Sequence, residues 1–311
     1  MADANRRAEP KASANASRTA DANRTADASR AAAGASHAPR TRGQFADGLR
    51  HYRLLLRLAW RAQLQYRSNF LTVILGGVTL QGIQLLFLGV LLAKFKVIAG
   101  WDFTEVAFVF AVRLAAHSFY VVPFGALLYT DVAVQEGDFD RYLLRPVNPF
   151  IQLITRHFPL MALGDALLGF AALVIFSISA PIDWSPGKVV FLVAAVIAGG
   201  LVEAGIQTTL CGLSFIMTST SSLRIFADNT ITQFSGYPLT IFGRWGLYSL
   251  TFLFPMAFIA FLPATVLLDR ADETPLPLWL SYCSPLVGLV WFVLGYLFFT
   301  RMMRYYTSPG S

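Results

Sequence analysis

Phe103-Thr-Glu-Val-Ala-Phe-Val-Phe-Ala-Val-Arg113-Leu-Ala-Ala-His117-Ser-Phe-Tyr-Val-Val-Pro123-Phe-Gly-Ala-Leu-Leu128 is apolar almost throughout, yet it carries Arg113 and His117 near its middle. A helix needs about 20 apolar residues to cross the hydrocarbon of a bilayer, and this stretch has them. Asp165 and Glu203 hold the same central position in two later apolar runs. An ionised side chain at mid-bilayer costs about 3 kcal/mol or more, so such groups face a protein interior or a water-filled path. The three stretches read as membrane helices of one bundle with a polar seam, a pattern suited to moving a solute.

Composition agrees. The chain has 311 residues, of which 55% are hydrophobic and 14% charged, and its mean hydropathy is +0.54. Soluble domains carry about 25% charged residues. The expected fold class is an all-α polytopic membrane protein. Apolar runs at 69–95, 103–128, 150–178, 188–217 and 279–300 supply five spans. The region 218–268 admits two readings. Hydropathy selects 247–268 as a span and leaves 218–246 as a loop. Alternatively 222–242 crosses, and Pro255 and Pro263 break the later run into a re-entrant hairpin over 245–268. Both readings give six transmembrane helices.

The net charge of +7 is unevenly spread. Residues 1–67 hold 13 basic and 5 acidic side chains, against 12 and 13 in the remainder. Residues 1–46 are of low complexity, with Thr19–Arg24 nearly repeated as Thr25–Arg30, and no apolar segment could build a core. A disordered basic cytoplasmic arm is expected there. It lacks the apolar region of an export signal, so no cleaved leader is expected. No aromatic-interleaved basic domain accompanies it, which argues against nucleic acid as a partner.

Over 47–67 the pattern changes. Arg50, Arg53, Arg57 and Arg61 form one stripe, with Tyr52, Leu55, Leu56, Ala59 and Tyr66 opposite. Such a helix lies in the membrane interface, its guanidinium groups among the phosphates of the lipid bilayer. Arg141, Arg145, Arg156, Arg224, Arg301 and Arg304 fall on the side of the arm. Asp102, Glu105, Asp183, Asp269, Asp272 and Glu273 fall on the other, with Lys94, Lys96, Lys188 and Arg270. Both termini are therefore expected in the cytoplasm. Arg244 lies outside under the hairpin reading and counts against it. The Arg-rich, Lys-poor, Ala-rich composition suggests a bacterial cell membrane.

Catalytic motifs are missing. Gly187-Lys188 lacks the preceding glycine of a P-loop, and Val189 stands where Ser or Thr would be needed. There is no His-Glu-x-x-His helix and no Gly-x-Ser-x-Gly elbow. His37, His51, His117 and His157 are not at ligand spacing, and Cys211 and Cys283 lie in apolar runs, so neither a metal site nor a disulfide is expected. No enzyme activity is expected of this chain. The segment 130–149 is the most informative loop. It runs through Glu136-Gly137-Asp138-Phe139-Asp140-Arg141-Tyr142-Leu143-Leu144-Arg145-Pro146 and combines charges with an apolar stripe of Phe139, Tyr142 and Leu143. It reads either as a short amphipathic helix that enters a groove on a soluble partner or as a solvated connection between spans.

The run Glu136 to Val147 resembles the Gly-x-hydrophobic-Asp-x-x-Leu-x-Arg-Pro signature that follows the second span in permeases of the ABC-2 superfamily. Tyr237-Pro-Leu-x-Ile-Phe242 and Pro255-x-Ala-Phe-Ile-Ala-Phe-Leu-Pro-Ala264 resemble that group too, in the expected order, and the likeness covers about 45–305. The long arm at 1–46 departs from the family pattern. The resemblance implies a six-span half-transporter with an amphipathic elbow helix before the first span, a coupling helix in the first cytoplasmic loop and a re-entrant segment before the last span. It also implies a separate ABC ATPase subunit that holds ATP and Mg²⁺, with no cofactor on this chain, and a dimer with a second copy or a related permease. Such systems export drugs, lipid-linked glycans or other amphiphiles.

On that basis Glu136 to Pro146 is expected to couple to the ATPase. Phe139, Tyr142 and Leu143 would bear the apolar contact, and Asp138, Asp140, Arg141 and Arg145 would orient it by charge. Arg113, His117, Asp165 and Glu203 form the intramembrane seam, with Asp165 or Glu203 as counter-ion to Arg113. The seam lines a translocation cavity or is a buried ion pair that sets helix register. Gly199, Gly200 and Gly205 around Glu203 allow close helix approach. The alternative function is an ATP-independent channel or secondary carrier, against which stands the lack of a paired repeat. A membrane scaffold would not need the mid-depth charges.

Overall fold

The computed structural model describes residues 67–307 except 95, 96, 99, 158 and 218. The arm at 1–46 and the interfacial helix bearing Arg50, Arg53, Arg57 and Arg61 lie outside the described residues. Helix α1 (Arg67–Lys94) leads to a two-residue antiparallel pairing of β1 (Val97–Ile98) with β2 (Trp101–Asp102). Helix α2 (Phe103–Phe124) starts where the Asp102 amide donates to Glu105 Oε2 at 2.8 Å, a side-chain cap for an otherwise open end. Pro123 cannot donate within the helix, and the chain tightens into a 3₁₀ turn at Gly125–Tyr129.

Three short helices follow. These are α3 (Thr130–Gln135), α4 (Asp138–Leu144) and α5 (Pro149–Thr155). Gly137 takes φ 72° between the first two, a left-handed conformation that glycine adopts without strain. Arg145 is extended, as a residue before proline must be, so α4 stops there. The span expected over 150–178 is divided. Asn148 Oδ1 accepts from the Phe150 amide at 2.9 Å to cap α5, and the helix of membrane length, α6 (Met161–Ser179), begins only after Pro159. Helix α7 (Pro186–Leu213) follows, with Pro186 in its first turn and Ser185 Oγ accepting from the Lys188 amide at 3.3 Å. The remaining helices are α8 (Ser221–Phe234), α9 (Gly243–Tyr248), α10 (Phe261–Leu267), α11 (Leu278–Tyr282) and α12 (Ser284–Met302).

Among the described residues, five helical segments are long and apolar enough to cross a membrane: Phe70–Leu91, Phe103–Gln135, Met161–Ser179, Pro186–Leu213 and Ser284–Tyr305. The long helices stand in the order α1, α6, α2, α7, α12, each packed on the next. The second segment is central, with 78% of its most apolar window buried, whereas only 17% is buried in the first and last. The outer faces of α1, α6 and α12 therefore remain apolar and open.

Backbones approach closely along this row. A Cβ added at Gly288 of α12 would fall onto the carbonyl of Ala198 in α7, and one added at Gly164 of α6 onto the carbonyl of Ile74 in α1. Gly199 and Gly200 of α7 lie against Ala116 of α2, and Gly205 lies against Trp291 of α12. Helices in lipid gain nothing from exchanging lipid for another apolar surface, so close backbone packing supplies much of their attraction.

Direction follows from the same contacts. Gly288 meets Ala198, Gly295 meets Gly205 and Phe299 meets Gly212, so α7 and α12 run parallel. Two parallel helices in succession require the chain to come back between them. Helix α8 starts beside Asp131, to which Arg224 is bonded, and climbs to Arg113, which bonds Thr232. Its 14 residues rise only about 21 Å, short of a full crossing. The path continues past Gly236, packed on Phe110, through a 3₁₀ turn at Leu239–Phe242.

The next stretch folds back on itself. Tyr248 lies near the Pro275 carbonyl, Ile259 packs its carbonyl against Gly199 half-way down α7, and Leu267 returns to Lys188 at the start of α7. Breaks at Ser249–Leu253 (a π turn) and Pro255–Phe258 (a 3₁₀ turn) allow the reversal, and every residue from Phe261 to Leu268 is buried. From Pro255 onward the irregular backbone is tolerated at this depth because protein surrounds it.

Substituting Gly288 by Val should separate α7 from α12 and cost about 3 kcal/mol or more, as overpacking a tight contact does. Gly82→Ala, where nothing lies within 4 Å of the added carbon, should cost nothing. Thermal unfolding of the two purified variants in the same detergent compares them directly.

Candidate functional site

The sequence singled out two regions, and the structure separates them by depth. Arg113, His117, Asp165 and Glu203 all converge in the middle of the helix row and are each at least nine-tenths buried. The pairing differs from expectation. Glu203 Oε2 lies 2.8 Å from His117 Nδ1, and Arg113 Nη2 donates to the hydroxyl of Thr232 at 2.8 Å. Neither Asp165 nor Glu203 makes a direct ion pair with Arg113 among the described residues. The reason is helical phase. His117 is one turn beyond Arg113 on α2 and meets the parallel helix α7 at the level of Glu203, while Arg113 reaches sideways to α8. Asp165 instead hydrogen-bonds Gln81 of α1 and faces Gly77. The carboxylates of Glu203, Asp228 and Asp165 still act on Arg113 through space.

Asp228 and Thr232 were not recognised as site residues in the sequence. With Arg224 they recur every four residues, which places all three on one face of α8. That spacing was the available signal. On α7 the same period links Glu203, Gln207 and Cys211. Tyr120, Gln207 and Thr208 are fully buried polar side chains of the same region.

At the loop end of the helices lies a second buried polar cluster, also unforeseen. Asp131 of α3 accepts from Ser214 Oγ at 2.6 Å, from the Thr220 amide at 3.0 Å and hydroxyl at 2.7 Å, and from Ser221 Oγ at 2.6 Å. Arg224 Nη2 lies 2.7 Å from the same carboxylate, and both side chains are at most 2% exposed. Arg224 Nη1, Cys211 Sγ and Thr130 Oγ1 all donate to the Leu127 carbonyl in the 3₁₀ turn. Reading Arg224 as one more exposed cytoplasmic arginine concealed this pair.

The loop helix itself has the opposite orientation to the one expected. Phe139 is fully buried, with ring centroids 4.8 Å from Phe215, 5.1 Å from Tyr306 and 5.8 Å from Tyr142. Tyr142 is buried as well, and that burial pushes its phenol above the ordinary value. These two rings hold α4 down on the ends of α7 and α12, where Phe299 joins them. Leu143 is half-exposed at 46%, Leu144 is exposed at 85%, and Arg141, Arg145 and Pro146 are exposed beside them. An amphipathic stripe does not reveal whether its apolar side meets a partner or the chain's own core, and here it meets the core. Arg156 braces the helix from α5, donating to Asp138 at 2.6 Å and reaching Glu136 at 3.4 Å. Gln152 donates to the carbonyls of Tyr142 and Val147 at 3.0 and 2.8 Å.

The opposite end is closed by Arg270. It pairs with Glu105 at 2.6 Å and Glu273 at 2.8 Å, donates to the Gly100 carbonyl at 2.8 Å and lies 4.7 Å from the centre of the Trp101 ring. Its hydrogen bonds to Glu273 raise its already high affinity for the proton further. Among the described residues no group of His, Cys, Asp or Glu has the geometry to hold a metal ion.

A row of membrane helices joined by a braced, charged loop helix can now be compared with known proteins. Residues 78–310 match the family model described as ABC-2 family transporter protein. The chain belongs to that family. No curated protein and no solved structure matches it significantly. Membership makes this a multi-pass membrane protein of the transmembrane-subunit type, a class that is generally not catalytic.

Two substitutions test the site geometry. Phe139→Asp buries a carboxylate among three aromatic rings and should cost more than about 4 kcal/mol, whereas Leu144→Asp should change stability by less than about 0.5 kcal/mol. Folded yield from membranes, read by size exclusion in detergent, distinguishes them. In the seam, Glu203→Leu strands His117 and should destabilise by about 3 kcal/mol, with Glu203→Gln costing less because it still accepts a hydrogen bond. Equal losses for the two would show that the His117 contact contributes nothing.

Proposed function

We propose that the chain is the permease subunit of an ATP-driven exporter of amphiphilic, drug-like or lipid-like molecules. ATP and Mg²⁺ are held by a separate ABC ATPase subunit, and the permease works as a dimer with a second copy or a related permease. Six crossings place both termini in the cytoplasm of a bacterial cell membrane, preceded by the amphipathic elbow helix at 47–67. The fifth crossing is α8 with its continuation to Phe242, and 245–268 is a re-entrant hairpin. The parallel course of α7 and α12 supports that count, because a return is required between them. Arg244 then lies on the outer side, an exception to the arginine bias.

The observation that carries the reading is the loop helix α4 in a chain of this family. It is fixed from below by Phe139 and Tyr142 and from the side by Arg156, so it is a stiff projection and not a loose connection. Leu143, Leu144, Arg141 and Arg145 face outward as a mixed apolar and cationic tip. A rigid tip of that kind transmits a push. Closure of the ATPase pair against it would rock the helices and change the side to which the dimer opens. The seam of Arg113, His117, Asp165 and Glu203 acts within one subunit as register-setting structure in this scheme, since it is enclosed by helices.

Affinity purification of the full chain from its native membrane should bring down an ATPase subunit, and Leu144→Asp combined with Arg145→Glu should release it while leaving the permease folded. Solute transport by the chain reconstituted alone, with no nucleotide present, would refute the proposal.

A further inference from the structure

The short helix α8 is attached differently from its neighbours. Only Arg224 and Ile231 of its 14 residues are buried, and Leu223, Ile225 and Phe226 are exposed at 41%, 58% and 64%. It has none of the close backbone contacts that join α7 to α12. Polar attachments at its two ends hold it instead. At its start Arg224 forms an ion pair with Asp131 and donates to the Leu127 carbonyl, and Ser221 donates to Asp131, while Thr232 in its last turn accepts from Arg113. A helix with little buried apolar area is bound weakly, and its position is set by whatever grips its ends.

Asp131 lies on α3, six residues before the glycine that starts the loop helix α4, and not within α2. The 3₁₀ turn at Gly125–Tyr129 breaks the α-helical ladder between them, the kind of interruption at which a helix hinges. The five groups that meet the Asp131 carboxylate all belong to the end of α7, the turn after it, or the start of α8. Buried charge-assisted bonds are short and directional, so such a cluster moves as one body or breaks.

We propose that Asp131 is the positioning residue through which the loop helix moves α8. Displacement of α4 passes to α3, through the Asp131 carboxylate to Arg224, along α8 and through Thr232 to the guanidinium of Arg113 in the seam. Helix α8 thus serves as the connecting rod between the loop and the middle of the membrane. This rests on the permease reading, in which a partner pushes on α4.

The test uses the full chain in complex with its co-purified ATPase, carrying spin labels at Phe226→Cys on α8 and Leu297→Cys on α12, with Cys283→Ser removing the half-exposed native thiol. Pulsed electron spin resonance reads the distance between labels with and without trapped ATP. The expected result is a distance change in the otherwise native complex, its loss in Asp131→Asn although the ATPase still binds nucleotide, and its recovery in Asp131→Glu. Ser221→Ala, which removes one bond of the cluster, should give a reduced change. It serves as the deciding variant if Asp131→Asn fails to fold. A full-sized change in Asp131→Asn, or in Ser221→Ala where that variant decides, overturns the inference and leaves the permease reading intact. So does a native complex in which α8 does not move. The absence of any ATPase to purify would defeat the permease reading itself.

Discussion

Helix α7 is pressed against α12 on one face and α2 on another, and both contacts depend on residues with little or no side chain. Lipid offers an apolar surface as good as leucine, so helices in a bilayer are not driven together by water. What remains is close contact between backbones and the bonds of the few polar groups. Gly288 against Ala198 and Gly199 against Ala116 supply the first. Once α7 is held between α2 and α12, Glu203 faces His117, Ser214 faces Asp131, and the folded-back segment has a wall for Ile259.

The polar groups follow the same logic. Each charged side chain at depth is given to a different neighbour, and four such links involve six helices. Glu203 joins α7 to α2, Arg113 joins α2 to α8, Asp165 joins α6 to α1, and Asp131 joins α3 to α8. Removing water from a charge is costly, so each pair is retained only where both partners arrive together. The pairs therefore specify which helix stands beside which, and which turn meets which turn.

Much of this was legible in the sequence. A run of apolar residues with Arg113 at its centre can only be a membrane helix inside a bundle, and four of the five spans first placed by hydropathy are single long helices, the run at 150–178 being divided. The charge motif from Glu136 to Pro146 pointed to the family that the model match then established. Other features were hidden for physical reasons. Hydropathy favoured 247–268 as the return between α7 and α12, because it cannot see that this apolar stretch folds back on itself. The stripe of Phe139 and Tyr142 is the same whether it faces a partner or the ends of α7 and α12. Arg224 counts as a topogenic charge by position, yet its partner Asp131 lies 93 residues earlier in sequence, and only the fold brings them together.

The two ends of the bundle differ in kind. At the Asp102 end, Arg270 gathers two carboxylates, a carbonyl and the face of Trp101, and Lys188 pairs with Asp269 at 2.7 Å. That end behaves as the clamped end of a cantilever. A load applied at the far tip, where the 3₁₀ turn and the glycine joint leave the short helices jointed, bends the beam most where it is applied and least at the clamp. Under a push at the Arg145 side, displacement therefore fades toward Trp101, and the clamped end moves least.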